Sequence, residues 1–405
     1  MEQNTFKVYG YRWVVLLAFM TIIALNQLLW ITFAAITTNA MQFYNVSDLS
    51  IGLLSLIFMV VYIFVSFPAS WIIDTYGIRV GVGIGAVLTG LFGLLRGLGA
   101  SDYTWVLVAQ IGIAVGQPFI LNAITTIAAR WFPAGERATA SGLGSLAMYV
   151  GILLGLALTP YLALRSGIPG MLLAYGVAAA VAMLAFFLLS RERPPSPPCP
   201  PDQEARSLAL EGLNKMIRQR DFILLMAIFF VGLGAFNAVT TWIEQILSPR
   251  QFSATQAGDA GGMMILGGIL GAVIIPLLSD KSRKRAPFLL LAIAGAAIGL
   301  VGVTYVSGYI SLLVFSFIFG FFLLSAGPVG FQYGAEMTYP APEGTSNGLL
   351  LMMGQVSGIA FILAMDSFKS PTTGSMTTSL LALIGLMALC LVFGFQLKEA
   401  APGRV

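Results

Sequence analysis

The sequence predicts an all-α membrane protein, with twelve transmembrane helices in two pseudo-symmetric six-helix bundles. Three observations predict it. Of the 405 residues, 58% are hydrophobic and 9% charged, whereas a soluble domain carries about 25% charged residues. Long apolar runs recur twelve times between short polar breaks; about 20 helical residues cross the hydrocarbon core, and helices satisfy their own backbone there. Finally, a polar stretch is written twice: "FPAGERATASGL" at 132–143 returns as "YPAPEGTSNGL" at 339–349, with one gap at Arg137.

The first half, 1–190, opens with the run 13–40, which holds Asn26, Gln27 and Trp30. That run is too long for a secretory signal and has no small-residue cleavage site, so a permanent span is expected. Runs 50–72 and 79–99 follow; "GVGIG" at 81–85 reads as a close-packing stripe within the third span and not as a nucleotide loop. Run 104–130 contains "GQPFILN", in which Pro118 frees a backbone carbonyl in mid-membrane. Runs 138–164 and 169–190 complete six. "YVGILLGLALTP" in the fifth is faintly similar to an antiporter signature, with its Pro160 too late.

The stretch 191–220 begins "RERPPSPPCPPDQEARS", rich in Pro and charge, and reads as an extended cytoplasmic linker. The second half, 221–405, repeats the pattern with runs 221–247, 256–279, 286–306, 309–338, 344–366 and 375–396. Each copy of the doubled stretch then falls in the cytoplasmic turn between the fourth and fifth helix of its half. Pro closes one helix there, and small polar residues open the next.

Lys and Arg set the orientation. With the N-terminus inside, the cytoplasmic segments hold most of them, from Lys7 and Arg12 through the 191–220 cluster to Lys398 and Arg404, against Arg165, Arg250 and Lys369 outside. Both termini are therefore expected in the cytoplasm of a cell-membrane protein. The net charge of +4 reflects this topology and gives no reason to expect a nucleic-acid partner. Cys199 in the linker and Cys390 in the last span are not expected to pair.

A second repeat places Asp74, in "PASWIIDTYGIRVGV", 206 residues before Asp280, in "PLLSDKSRKRAPF". With the twelve spans, this resembles the major facilitator superfamily, whose signature after helix 2 runs Gly-x-x-x-Asp-x-x-Gly-x-Arg. Ser70 stands at the first Gly, and Asp74, Gly77 and Arg79 match. The resemblance implies an inner gate in which Asp74 meets the first turn of helix 11, near Gly344, and Asp280 meets helix 5, near Ala138. A carboxylate against a helix N-terminus has a physical basis in the helix dipole; the bland alternative is that these charges merely fix topology. Glu336 falls opposite Ala129 in the repeat, next to Arg130, so it is read either as pairing with Arg130 across the inner vestibule or as a solvated helix end.

Polar residues inside apolar helices mark the candidate substrate site. Asn26 and Trp30 share one face of helix 1, Gln117 and Asn122 lie in helix 4, Asn237 with Thr240 and Thr241 in helix 7, and Gln355 with Ser357 in helix 11. Amides facing lipid are costly, so they face inward, either toward substrate or as bonds between helices. "WITFAAITTNAMQFYNVS", "GQPFILNAITTIAARWF", "PVGFQYGAEMTYPAPEGTSNGLL" and "GQVSGI" are similar to the feline leukaemia virus subgroup C receptor family. Its best-known members carry choline and ethanolamine and have been linked to haem. The resemblance implies a site lined by Trp30, Gln117 and Gln355, in which an aromatic face attracts a quaternary ammonium. The family's helix 7 Tyr is Asn237 here, with Phe236 and Trp242 as candidate aromatic replacements.

The expected function is alternating-access transport of a small organic cation or zwitterion, by facilitated diffusion because none of the candidate site residues titrates. Alternatives are a proton-coupled carrier of carboxylates or amphiphilic drugs, and a non-transporting receptor, although no soluble domain beyond the linker is present. An enzyme is disfavoured by the lack of His, of a metal-ligand cluster and of a phosphate loop. No cofactor is expected; haem would find no His as axial ligand. The expected partners are a small-molecule substrate and the bilayer, with a functional monomer. Arg96, Glu244 and Asp259, toward outer helix ends, read as solvated interface charges.

Overall fold

A computed structural model describes residues 8–133, 136–196, 216, 218–338 and 343–399. Most of the linker and parts of both copies of the doubled stretch, including the turn 339–342 before helix 11, lie outside these residues. The chain divides into two compact units, one formed by Met1–Phe33 and Asn39–Arg206, the other by Ala34–Thr38 and Ser207–Val405.

The first unit contains α1 (Arg12–Ile31), most of α2 (Thr37–Tyr44), α3 (Asp48–Tyr76), α4 (Ile78–Leu98), α5 (Tyr103–Leu121), α6 (Ile124–Trp131) and α7 (Arg137–Leu189). The 53 residues of α7 would reach about 80 Å at 1.5 Å per residue, far beyond a hydrocarbon core of about 30 Å. Gly167, at φ 68°, interrupts it in a region that L side chains avoid, so α7 is two successive spans. Gly151 lets α7 touch α1, since a Cβ there would sit 2.0 Å from the Ala24 carbonyl oxygen. Phe19, Ile22, Ile73, Ile120, Trp131 and Phe186 belong to the buried core of this unit.

The second unit contains α8 (Arg220–Thr241), the short α9 (Ile243–Leu247), α10 (Ala254–Ser282), α11 (Ala286–Tyr305), α12 (Tyr309–Thr338), α13 (Glu343–Ser367) and α14 (Thr377–Gly394). α10 packs on α12 through Gly271 and Gly320, whose added Cβ atoms would lie 1.8 Å from Phe321 O and 1.7 Å from Met264 O. Among the described residues, eleven helical stretches are long and apolar enough to cross a membrane. Counting α7 twice gives twelve crossings, six in each unit.

Three of the expected spans are broken, the seventh, 221–247, by a turn at Trp242 between α8 and α9. The first run, 13–40, stops as a helix at Ile31, turns through 32–36 and resumes as α2. The fourth, 104–130, breaks at Asn122 and Ala123 between α5 and α6. Ends near water are capped by side chains that take orphan N–H groups. Ser47 accepts from Ser50 N at 3.2 Å, Asp102 from Thr104 N at 2.7 Å, and Ser253 forms a capping box with Gln256.

Candidate functional site

The break in the first span builds the surroundings of Trp30. A helix that ends inside the membrane leaves carbonyls with neither intrahelical donors nor water. Here Thr32 Oγ1 donates to Leu28 O at 2.8 Å, and Leu29 O receives Arg96 Nη1 at 3.0 Å and Gln110 Nε2 at 3.2 Å. Trp30 is tied to α3: its indole N–H donates to Ser55 O at 3.1 Å, and Ser55 Oγ donates to Trp30 O at 3.4 Å. The ring orientation is thus fixed by main chain and side chain together.

Other amides of the first unit are engaged in packing. Asn26 Nδ2 donates to Thr89 Oγ1 on α4 at 3.0 Å, while its Oδ1 is buried without a hydrogen-bond partner. Asn122 fills the α5–α6 break: it accepts from Tyr62 OH at 2.7 Å and donates to Ser66 and Ser70 of α3 at 2.9–3.0 Å. Gln117 is buried one residue before Pro118. In the second unit, Asn237 Nδ2 donates to Gly354 O at 3.1 Å, which places it beside the partly exposed Gln355. Thr240 and Thr241 are buried with hydroxyls lacking partners.

The two aromatic candidates of helix 7 separate. Trp242 is fully buried, and its indole N–H donates to Ile362 O at 3.1 Å, so it packs against α13; Trp30 is also buried, at 6% exposed. Phe236 lines an apolar cavity inside the second unit, formed by α8, α11, α12 and α14.

Two expected interface charges are instead buried. Arg96 is 0% exposed and rests on Leu29 O, Gln110 Oε1 at 2.7 Å and Thr32 Oγ1 at 3.4 Å, with its guanidinium 5.8 Å from the Phe33 ring. Glu244 is 3% exposed; Thr38 N and Oγ1 donate to its two oxygens at 3.0 and 2.7 Å, and Gln245 Nε2 adds a bond at 3.2 Å. Both are held by helix ends. The negative C-terminal end of α1 faces the cation, and the positive N-terminal end of α2 faces the anion. The third, Asp259, is half-buried and accepts from Tyr309 OH at 2.7 Å.

The charges expected at the cytoplasmic helix ends have partners within their own units. Arg130 binds Glu192, whose oxygens also accept from Ile78 N at 3.1 Å and Arg79 N at 2.7 Å. Glu336 accepts from Arg285 at 3.0 Å and from Gln332 at 2.9 Å. Asp280 binds Arg285, and Glu399 caps α11 by accepting from Arg285 N and Ala286 N at 3.0 Å. Each charge takes the opposite charge or helix start nearest to it. Burial opposes the Arg285 charge, but the hydrogen bonds it donates to Asp280 and Glu336, with their negative charges, outweigh it and raise the group above its ordinary range. Asp74 and Arg79 are exposed. Sequence reasoning missed Glu192 and Glu399, which lie at the far ends of their halves from the charges they bind or cap. Among the described residues, no group of three or more His, Cys, Asp or Glu is placed to hold a metal ion.

Two units of six crossings, with repeated charge motifs at helix ends and amides inside apolar helices, are the build of a secondary transporter. The chain matches the Major Facilitator Superfamily over residues 9–362 and belongs to that family, as a multi-pass membrane transporter of small molecules. It is 32% identical over 381 residues to solute carrier family 49 member A3 of Danio rerio, covering 91% of this chain and 80% of that one. It is 29% identical to the choline/ethanolamine transporter flvcr2a of Danio rerio, over 88% of this chain and 80% of the relative. The choline/ethanolamine transporter FLVCR1 of Mus musculus is likewise 29% identical, with 94% and 75% covered. A solved bacterial homolog of the human lysosomal transporter Spinster shares the fold, with a TM-score of 0.77 at 18% identity, over 96% of this chain and 98% of that one.

Proposed function

We propose that this transporter carries a small organic cation or zwitterion of the choline and ethanolamine type by facilitated diffusion. The observation that supports this most is the pinning of Trp30 by Ser55 on both its backbone and its indole, in a chain related over most of its length to choline/ethanolamine transporters. A fixed aromatic face is suited to a quaternary ammonium. Gln117, Asn237 and Gln355 would serve a hydroxyl or amine, while Asn26 and Asn122 hold the helices that carry the site. A helix 7 Asn in place of Tyr exchanges an aromatic wall for an amide, which favours a ligand with a polar end.

None of these six residues titrates, and Glu336 is occupied by Arg285 and Gln332, which supports uniport over proton coupling. Asp74, Arg79, Arg130, Asp280 and Glu336 would set the inner gate through the charge clusters at the cytoplasmic helix ends. The protein would work as a monomer in the cell membrane with both termini in the cytoplasm.

Transport in proteoliposomes tests the reading. Choline uptake should follow an imposed membrane potential, which is worth about 2.3 kcal/mol per charge per 100 mV, and should ignore a pH gradient at clamped potential. Trp30→Ala should lose about 30-fold in affinity, the equivalent of a desolvated cation–π contact of about 2 kcal/mol, and Trp30→Phe should retain part of it. Accumulation driven by the pH gradient alone and abolished in Glu336→Gln would replace uniport with proton coupling.

A further inference from the structure

The apolar cavity of the second unit has no task in transport of a ligand as small as choline. Its lining includes Gly232, Leu233 and Phe236 of α8, Ala292 and Ala296 of α11, and Leu323 and Gly327 of α12, with Met387 and Cys390 of α14 behind them, around a cavity of about 40 Å³. The α11 and α14 side is closed: Ala292, Ala296, Met387 and Cys390 are all at most 2% exposed. The partly exposed lining residues are Gly232, Leu233, Ala326 and Gly327, on α8 and α12. The mouth therefore lies on the α8 and α12 side. The outward faces of α11 and α14 instead carry exposed Leu291, Ile298, Leu389 and Val392, the surface suited to lipid.

That mouth adjoins the candidate polar residues of the same unit. Leu233 stands one helical turn before Asn237, on the same face of α8, and packs against Gly354, where an added Cβ would meet its side chain at 2.6 Å. Gly354 O is the acceptor of the Asn237 amide and precedes Gln355. The lining also uses small residues where larger ones would fit. An added Cβ at Gly232 would find its nearest neighbour, Leu323 Cδ1, at 4.0 Å, and one at Gly327 would find Phe331 Cε2 at 4.0 Å. By contrast, Gly271 and Gly320 serve close helix contact.

We infer that this cavity is an aliphatic subsite, which takes an alkyl chain of the same ligand whose polar end is held at Asn237 and Gln355. The preferred substrate is then an amphiphilic amino alcohol or substituted ammonium, rather than the bare trimethylammonium. The inference rests on the assignment of Asn237 and Gln355 to the binding site. Occupancy by a bilayer acyl chain fits less well, because the wall toward the lipid-facing helices is closed.

The test uses the purified full chain and choline analogues in which one N-methyl is replaced by ethyl, butyl or hexyl, with binding measured by calorimetry and thermal shift. Affinity should rise about 4-fold per methylene until the cavity is full, the equivalent of about 0.8 kcal/mol per buried CH₂. Gly232→Leu, which places a side chain in the open space, should flatten this series and leave choline itself within about 2-fold. Gly327→Leu provides the same test on the opposite wall should the first variant fail to fold.

A flat series in the wild type, with choline bound, overturns the subsite and spares the proposed function. Equal slopes in wild type and the filled variants overturn it too, since the chains would then be seated elsewhere or in a bound lipid's place. Binding of the hexyl analogue without choline keeps the subsite and overturns the choline-type reading. No binding by any analogue overturns both.

Discussion

Arg96 shows how a lone charge is kept inside an apolar bundle without a carboxylate. Its partners are a backbone carbonyl, an amide oxygen and a hydroxyl, helped by the negative end of α1. Gln110 is the more critical member, because its Nε2 also serves Leu29 O and Leu54 O while its Oε1 accepts from the guanidinium. Arg96→Met keeps the volume and leaves Leu29 O with Gln110, so a change within about 1–2 kcal/mol is expected, and buried charges replaced by apolar groups are often neutral. Gln110→Leu removes one acceptor of a buried cation, at about 1–3 kcal/mol for an unsatisfied group. Melting in detergent should therefore fall more for Gln110→Leu than for Arg96→Met; the reverse order would show that the guanidinium and not the amide organises the cluster. Neither role was legible in the sequence. Position along an apolar run indicates depth, and Arg96 and Glu244 near run ends read as solvated; the helix ends that hold them come from a break that composition does not mark. Asn26, Trp30, Gln117, Asn122, Asn237 and Gln355 stood out because amides and a Trp in such runs are few, yet their partners Thr89, Ser55 and Gly354 are unremarkable residues on other helices.

Elements were legible where hydropathy is continuous and obscure where it conceals a turn. The twelve runs correspond to twelve crossings, but "ITFAAITT" is apolar enough to be read through, although α1 stops at Ile31. Pro118 did announce trouble in the fourth span, and the helix breaks four residues later, at Asn122. Helix packing was hinted at by glycine content without naming which glycines count. Gly271→Ala should cost about 1–3 kcal/mol or more, because its Cβ would fall 1.8 Å from Phe321 O and α10 would be forced from α12. Gly385→Ala, in α14 with nothing within 4 Å of the added atom, should be neutral or gain up to about 1 kcal/mol in helix propensity. Equal thermal shifts for the two variants would show that the α10–α12 contact tolerates a larger spacing.

For the whole molecule, composition and the two repeats were sufficient to indicate a family, because a duplicated chain writes its symmetry at a fixed offset. Asp74 and Asp280 display it in the sequence. What the repeat could not provide was the pairing: Arg130 binds Glu192 and Glu336 binds Arg285, each inside its own unit. Linear order also conceals that the second unit is discontinuous, being made of Ala34–Thr38 together with everything from Ser207.

A gene cut in the linker would therefore never encode a whole second unit. The later fragment, produced alone, would carry the Glu244 carboxylate without the Thr38 amide and hydroxyl that receive it, and an uncompensated buried carboxylate costs several kcal/mol. One substitution should then act with opposite signs in two contexts. In the intact chain, Glu244→Leu discards good hydrogen bonds and should lower the melting temperature. In the isolated fragment 207–405 it removes an orphan charge and should raise the yield of folded material. Supplying residues 1–206 as a separate chain should rescue the unmodified fragment and largely cancel the benefit of the leucine. A loss of fragment yield on Glu244→Leu would mean that the carboxylate finds another partner when its five-residue donor is gone.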